Sequence, residues 1–166
     1  MKSLPKYTVQ VYGNEDQLPA EAEELFEKQL ADSRRPLPED RSDRGEWRFA
    51  LTCAVNAGGH VLGGVHIDMG PIGGSGPLSK EKLAYLERTL VRAEYRRQGL
   101  ATKLLRKAIE VAGENGCRHI RCSNNWDNPA ETALLGKCGF ALVDINGEED
   151  EEPYYLAVRP LQGLSV

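Results

Sequence analysis

Apolar and polar residues follow one another along this chain with two different periods, which predict strands and helices in turn. Strict alternation over residues 6–12 predicts a first strand. Segments that favour extended structure, many of them rich in β-branched and aromatic residues, predict the remaining strands at 47–57, 60–68, 83–91, 117–122, 140–145 and 154–159. We therefore expect a sheet of about six or seven strands, which is an ordinary sheet size.

Helical spacing occurs in three segments. The first is one amphipathic helix whose apolar face holds Leu18, Ala22, Leu25, Phe26, Gln29 and Leu30. The second follows the strand at 83–91, and its stripe has the spacing i, i+3, i+4, i+7, i+8, i+11, formed by Ala101, Leu104, Leu105, Ala108, Ile109 and Ala112. The third begins at Asn128, because Asn is a good N-cap, Pro129 suits the first turn and Glu131 completes a capping box.

This order of elements predicts one α/β domain spanning residues 1–166, with a mixed, twisted sheet flanked by helices. No internal repeat or low-complexity linker divides the chain. The charged, proline-containing segment 32–45 is predicted to be a loop. The glycine-rich segment 69–82 is also predicted to be a connection, since it matches neither the P-loop nor the dinucleotide-binding glycine pattern.

Charge and composition exclude several function classes. A net charge of −4 argues against a general nucleic-acid-binding protein. No apolar run reaches the roughly 18 residues of a membrane span, and residues 1–6 have no signal-peptide character. The chain has four cysteines, Cys53, Cys117, Cys122 and Cys138. They form no C-x-x-C pair, and only three histidines are available as co-ligands. We interpret them as reduced thiols of a cytoplasmic protein without a metal site.

The segment 91–102 has the chemistry of an anion site. It joins a predicted strand to a predicted helix, so main-chain N–H groups and the positive end of the helix dipole coincide there. Gly99 allows a close approach because it has no Cβ. Seven cations and one anion between residues 88 and 107 give a local charge of +6 in a chain of charge −4. This pattern favours a phosphate ligand.

Two motifs in this region resemble those of the GNAT superfamily of acyl-CoA-dependent N-acyltransferases. Residues 96–101 (RRQGLA) match [Q/R]-x-x-G-x-[G/A], and 128–140 (NPAETALLGKCGF) resembles the second signature, an Asn-initiated helix that ends in Gly-Phe. The resemblance covers residues 83–140. It implies direct transfer of an acyl group, most often acetyl, from the cosubstrate acetyl-CoA to an amine, with no metal, on a sheet whose central strands splay apart.

The resemblance also implies which residues bind acetyl-CoA. The backbone amides of the loop and first helical turn would hold the pyrophosphate, the backbone of the preceding strand would pair with the pantetheine arm, and Asn128 would lie beside that arm or the adenosine. The implied cosubstrate-binding residues are Leu90, Val91, Arg96, Arg97, Gln98, Gly99, Leu100, Ala101, Thr102 and Asn128.

Acid–base residues are less clearly indicated. The acceptor amine must lose a proton, and Glu87 is the candidate general base, since we expect it to share a strand face with Leu83, Tyr85, Thr89 and Val91. The family often has a tyrosine that protonates the CoA thiolate seven residues after the helix Asn, where this chain has Leu135. Tyr154 is the candidate replacement acid, with Tyr155 as the alternative, although aromatic residues are common in strands and an ordinary sheet role is favoured for both.

The acceptor stays open at this level. The stretch 144–152 holds six acids and no cation, so it is either a solvated hairpin tip or a rim that attracts a cationic acceptor. Residues 84–87 (AYLE) resemble aminoglycoside 6′-N-acetyltransferases. The alternatives are a protein N-terminal or lysine acetyltransferase and a non-catalytic acyl-CoA-binding domain. The partner is therefore a small-molecule or protein amine, and the chain could form a homodimer.

Overall fold

The computed structural model describes residues 1–34, 47–125, 127–145 and 154–161, with backbone alone at 124 and 125. In these ranges the elements are β1 Tyr7–Gly13, α1 Ala20–Leu25, α2 Glu27–Arg34, β2 Arg48–Asn56, β3 Val61–Pro71, β4 Lys82–Val91, a 3₁₀ turn at Ala93–Tyr95, α3 Leu100–Glu114, β5 Cys117–Asn125, α4 Pro129–Lys137, β6 Ala141–Ile145 and β7 Tyr154–Pro160.

Seven strands form one mixed sheet in the order β1-β2-β3-β4-β5-β7-β6. Pairing is antiparallel throughout except between β4 and β5, which are parallel and are connected through α3. A parallel pair needs such a crossover, and the helical period of residues 101–112 provides it. The predicted fold class, a mixed sheet flanked by helices, is confirmed.

Alternation along β2 separates two apolar layers. Ala50 and Ala54 belong to the cluster that contains the buried stripe of α3, whereas Leu51 and Cys53 belong to the cluster that contains α1 and α2. Since successive residues of a strand point to opposite faces, α3 and α4 cover one face of the sheet and α1 and α2 cover the other. The four cysteines are free thiols, and three of them are buried.

Burial raises the pKa of each cysteine thiol, to about 12 for Cys53 and Cys122. These groups therefore stay protonated near neutral pH, and a protonated thiol is a poor nucleophile.

A bulge in β4 corrects the predicted strand faces. His66 pairs with Arg88 and Ile67 pairs with Leu86, so Glu87 is the extra residue opposite the step between them. Leu86 and Val91, five positions apart, consequently pack in the same cluster, and Leu90 packs in the other. The expectation of one unbroken alternation from Leu83 to Val91 was wrong, because a bulge shifts every later side chain to the opposite face.

The first predicted helix is also two helices rather than one. α1 ends at Leu25 and α2 begins at Glu27, with Phe26 outside helical geometry at φ −114° and ψ 18°. The Phe26 side chain is fully buried and lies on Gly64, where a Cβ would come within 3.0 Å of the ring. This anchoring to the sheet explains why the amphipathic pattern continues across the break.

Some predicted segments extend past the described residues. α2 continues to Arg34, so the predicted loop 32–45 begins later than expected, and residues 35–46 lie outside the described ranges. Of the acidic stretch, only 144 and 145 are described, at the end of β6. In the part of the chain that the structure describes, no helix is long and apolar enough to cross a membrane.

Candidate acyl-CoA site

The loop between β4 and α3, residues 92–99, places the first turn of α3 at the end of β4. Gly99 caps the helix with φ 79° and ψ 4°, and no side chain caps it. The first helical hydrogen bond runs from the Lys103 N–H to the Gly99 carbonyl, 3.1 Å. The N–H groups of Leu100, Ala101 and Thr102 therefore precede the helical ladder and are available to a ligand. A Cβ at Gly99 would meet nothing within 4 Å, so the space beside it is open.

The cations around this loop mostly hold the fold together. Arg92 donates from Nε to the Val61 carbonyl at 2.7 Å and from Nη2 to Glu21 at 3.0 Å, and Arg96 donates from Nε to the Val91 carbonyl at 2.9 Å. Hydrogen bonds from His60 and then from the Val61 N–H lower the pKa of Glu21, so it is ionised beside Arg92. The strongest feature for an anion is thus the set of main-chain amides of α3, with Arg97 exposed beside them.

β4 and β5 separate part-way along their length. Their pairing extends from Lys82↔Cys117 to Tyr85↔Arg121, after which β4 continues beside β3 and β5 continues beside β7. Among the described strands, none lies beside β4 on its β5 side after Tyr85, and this edge leads to the first turn of α3. Backbone groups at such an edge need partners, which an extended ligand can supply. The predicted splay is present.

The vertex of this cleft carries an aromatic and cationic row on the α1–α2 face. Trp47 stacks on Tyr85 with ring centroids 5.9 Å apart and an interplanar angle of 19°. The Arg121 guanidinium carbon lies 4.7 Å from the centroid of the same ring, and Arg121 Nη2 donates to the Tyr85 hydroxyl. Gly70 lets the indole approach, since a Cβ there would lie 2.1 Å from it. We call Trp47, Tyr85 and Arg121 the vertex row.

A partly buried polar cluster lies next to the vertex row, since Asp68 pairs with Tyr85 across β3 and β4. The Ser33 hydroxyl donates to both oxygens of Asp68, at 2.8 and 2.9 Å, and lies 3.3 Å from Nε2 of His66. His66 is 0% exposed, and burial lowers its pKa to about 4, although Asp68 lies 3.7 Å away. Burial therefore outweighs the nearby Asp68 carboxylate in its effect on the pKa of His66. His66 is therefore neutral near pH 7 and holds α2 to β3.

A family model described as "Acetyltransferase (GNAT) family" matches residues 18–140, which include the loop, the cleft and the second motif. The chain belongs to the GNAT acetyltransferase family. A curated Arabidopsis thaliana relative, GCN5-related N-acetyltransferase 4, chloroplastic, is 35% identical over 72 residues, which are 42% of this chain and 25% of that protein. The match thus spans about a quarter of the relative's length.

Solved structures show the same fold. A Klebsiella pneumoniae protein assigned as an acyl-CoA N-acyltransferase superposes with a TM-score of 0.61 at 18% identity, covering 94% of this chain and 98% of that one. NAA60 of Arabidopsis thaliana, solved in complex with acetyl-CoA, gives a TM-score of 0.59 at 16% identity, covering 92% and 99%. At these identities the likeness concerns the fold.

The second GNAT motif folds as predicted at its start. The Asn128 side-chain oxygen accepts from the Glu131 N–H at 3.1 Å, and Pro129 occupies the first turn of α4. This confirms the N-cap and shows that the side-chain oxygen of Asn128 is bonded to the helix. Leu135, where the family often has tyrosine, is fully buried in the apolar cluster that α3 and α4 form with the sheet, which we call the α3–α4 cluster.

The tyrosines of β7 differ from each other. Tyr155 is 0% exposed in the cluster that contains Leu135, and burial raises its pKa to about 12. Tyr154 is 37% exposed and pairs with Asn125 of β5 and Ile145 of β6. Glu87 is exposed at the bulge in β4. Tyr154 lies on β7 and Glu87 on β4, with β5 between them in the sheet, and the acid and base roles stay predictions.

Sequence reasoning missed the vertex row and the hydrogen bonds between the Gln98 side chain and the main chain of Lys2 and Leu4. Trp47 was interpreted only as a strand residue, and Arg121 lay in a short strand with no motif. Their meeting depends on the parallel pairing of β4 with β5, which no local pattern encodes. Among the described residues, no three His, Cys, Asp or Glu side chains are grouped as a metal site.

Proposed function

We propose that this GNAT protein transfers the acetyl group of acetyl-CoA directly to an amine. The observation that carries the proposal is the junction of two features: β4 loses its β5 partner after Tyr85, and the freed edge leads to a helix start capped by Gly99 with no capping side chain. An extended arm with a pyrophosphate at one end fits both features together.

The cosubstrate would lie along the free edge of β4. The pyrophosphate binds the amides of Leu100, Ala101 and Thr102, where the helix dipole favours negative charge. The pantetheine arm pairs with β4 near Leu90 and Val91. The thioester then lies toward the vertex of the cleft. The acceptor enters on the α1–α2 face, where the vertex row leaves aromatic and cationic side chains at the end of the cleft.

Acetyl transfer in this cleft needs one bond made and one broken. The amine nitrogen attacks the thioester carbonyl carbon, and the C–S bond breaks to release CoA. Glu87 at the bulge is the proposed base that takes the amine proton, directly or through water. A thiol with an ordinary pKa of ~8.5 is a fair leaving group at neutral pH, so replacement of the usual tyrosine by Leu135 weakens acid assistance without preventing the reaction.

Two acceptor classes have support. One structural neighbour, the NatC complex, was solved with a Gag peptide and CoA, so a peptide or protein amine is one class. A small amine is the other, suggested by the acidic stretch at 144–152. The rival to catalysis is an acyl-CoA-binding domain that does not turn over, and Leu135 is the residue that favours it.

The experiment is to titrate CoA and acetyl-CoA by calorimetry and thermal unfolding, and then to measure CoA release with amines and peptides. Ligand at 100 times its Kd adds ~2.7 kcal/mol to the free energy of unfolding, a Tm rise of roughly 5–10 °C for a chain of this size.

Gly99→Ala should abolish most of this rise, because Gly99 has φ 79° and the new Cβ would enter the ligand's space. Gly113→Ala, in the last turns of α3, is the matched control. An absence of any CoA binding by the wild type would overturn the proposal, and binding without turnover would favour the rival.

A further inference from the structure

The N-terminal segment, residues 2–4, runs alongside the loop that precedes α3 and is hydrogen-bonded to it. The Lys2 N–H donates to the Glu94 carbonyl at 2.8 Å. The Gln98 side chain donates from Nε2 to the Lys2 carbonyl at 2.6 Å and accepts from the Leu4 N–H at 3.1 Å. One amide side chain therefore bonds the main chain on both sides of Ser3, as a neighbouring strand would.

These bonds act where the loop is strained. Among the described residues, Arg97 is the one non-glycine residue with positive φ, at 61°, and Gly99 has φ 79°. Gln98 lies between these two left-handed residues. A side chain costs roughly 1–2 kcal/mol in that conformation, so such a residue persists only where its surroundings fix it.

Other contacts anchor both ends of this arrangement. Arg96 Nε holds the start of the strained turn to the Val91 carbonyl at 2.9 Å. Leu4 packs against the α3–α4 cluster, and Lys103 of α3 lies 4.9 Å from the Tyr7 ring centroid. The loop is thus held from β4 on one side and from the N-terminal segment on the other, with Gln98 as the link between its centre and that segment.

We infer that the Gln98 side chain and residues 2–4 hold the loop before α3 in its phosphate-binding conformation before the ligand arrives. Gln98 is a positioning residue: its side chain is occupied by the N-terminal segment, and it acts on the ligand through the backbone of Arg97 and Gly99. Without it, Arg97 relaxes to negative φ and the amides at the helix start lose their common direction. Pre-organisation of this kind raises affinity by lowering the cost of ordering the site.

The inference rests on the proposed CoA site and makes a selective prediction about it. Gln98→Ala should raise the Kd for CoA about tenfold, since it removes two hydrogen bonds from the loop. In competition against CoA, the inhibition constant of inorganic pyrophosphate should rise by a similar factor. The inhibition constant of pantetheine, which has the arm but no phosphate, should not change. Gln10→Ala, an exposed glutamine of β1 bonded to its neighbour Thr8, is the matched control.

Two further variants separate positioning from general stability. Leu4→Pro and Leu4→Ala both lose the packing of the Leu4 side chain, but only Leu4→Pro also removes the N–H that Gln98 accepts from. Leu4→Pro should therefore weaken CoA binding more than Leu4→Ala does. In an Arg97→Gly background the left-handed conformation costs little, so Gln98→Ala should then change the Kd less than threefold. Such loss of the effect identifies backbone strain as the cause.

The outcomes are distinct. Absence of CoA binding by the wild type would overturn the proposed function. Wild-type CoA binding that Gln98→Ala leaves unchanged would overturn the positioning role and leave the function standing. An equal loss for pyrophosphate and pantetheine, or an equal effect of Gln98→Ala with and without Arg97→Gly, would show a general structural role and would also overturn the inference.

Discussion

At the residue scale, the bulge at Glu87 is the feature that most changes the meaning of the sequence. An extra residue opposite His66 and Ile67 turns the side chains after it to the other face of the sheet. The bulge therefore places Glu87 at the point where β4 changes faces, close to the vertex where Tyr85 pairs with Arg121. This position is the reason for proposing Glu87 as the base that takes the amine proton.

Glu87→Gln tests this role. If Glu87 accepts the amine proton, the substitution should lower kcat by about 10²-fold or more at neutral pH, and the loss should shrink as pH rises and the free amine becomes more abundant. The Kd for acetyl-CoA should stay nearly constant. Glu24→Gln, on the exposed side of α1, is the control. Unaltered kcat from pH 6 to 9 would remove Glu87 from the mechanism.

His66 provides a second residue-scale prediction, on stability. Its pKa is about 4 in the folded protein against an ordinary 6.5, because burial disfavours the charged ring. Between these values the unfolded chain binds more protons, so the free energy of unfolding falls as pH drops through this window. The total loss in the free energy of unfolding is about 3 kcal/mol, since each unit of pKa difference contributes ~1.4 kcal/mol.

Urea unfolding of the wild type and of His66→Gln from pH 7.5 to 4 measures this contribution. Gln can place an amide near the position of Nε2 beside Ser33 but does not titrate. The wild type should lose stability with falling pH more steeply than His66→Gln, by about 3 kcal/mol in total. Parallel curves for the two proteins would mean that His66 is not the source of the acid sensitivity.

At the element scale, the two helices that follow the cleft begin in opposite ways. α4 has a side-chain cap, because Asn128 accepts from the Glu131 N–H, whereas α3 begins at Gly99 with no side-chain cap. A capped start satisfies its own amides, and an uncapped start leaves them for a ligand. The contrast supports α3 as the pyrophosphate site and gives Asn128 a structural role of its own.

Asn128→Ala should therefore reduce the free energy of unfolding by about 1 kcal/mol, a Tm decrease of roughly 2–4 °C. Asn128→Ser retains a capping oxygen and should recover most of the stability. If Asn128 also touches acetyl-CoA, both variants should weaken CoA binding, since Ser is too short to replace the amide. Thermal unfolding and CoA titration of the pair separate the two roles, and no loss of stability in Asn128→Ala would contradict the observed cap.

At the scale of the whole molecule, charge is distributed unevenly along the chain. The region 88–107 has a charge of +6, while 144–152 holds six acids in a chain of net charge −4. Several cations of the first region are held by neighbours such as Glu21 and Glu110. Long-range attraction of a cationic acceptor would come mainly from the acidic stretch, most of which lies outside the described residues.

The corresponding prediction concerns salt. At saturating acetyl-CoA, kcat/KM for a polyamine, an aminoglycoside or a basic peptide should fall as salt rises from 0.01 to 0.1 M, because the Debye length shrinks from about 30 to about 10 Å. The dependence should become flatter when five acids of the stretch are neutralised together: Glu148, Glu149, Asp150, Glu151 and Glu152. If neutral amines have the same kcat/KM as cationic ones, and neither value depends on salt, electrostatic attraction of the acceptor by this stretch is ruled out.

The sequence by itself determined the features that depend on neighbours within a turn or a strand. The strand periods, the stripe of α3, the N-cap at Asn128 and a glycine-containing turn before α3 follow from local sequence, so the fold class and the family were predictable. Tertiary structure decided the position of β7 between β5 and β6, the bulge at Glu87, the vertex row and the bond from Gln98 to Lys2 across 96 positions. These contacts join residues far apart in the chain, and packing rather than local periodicity selects which distant groups meet.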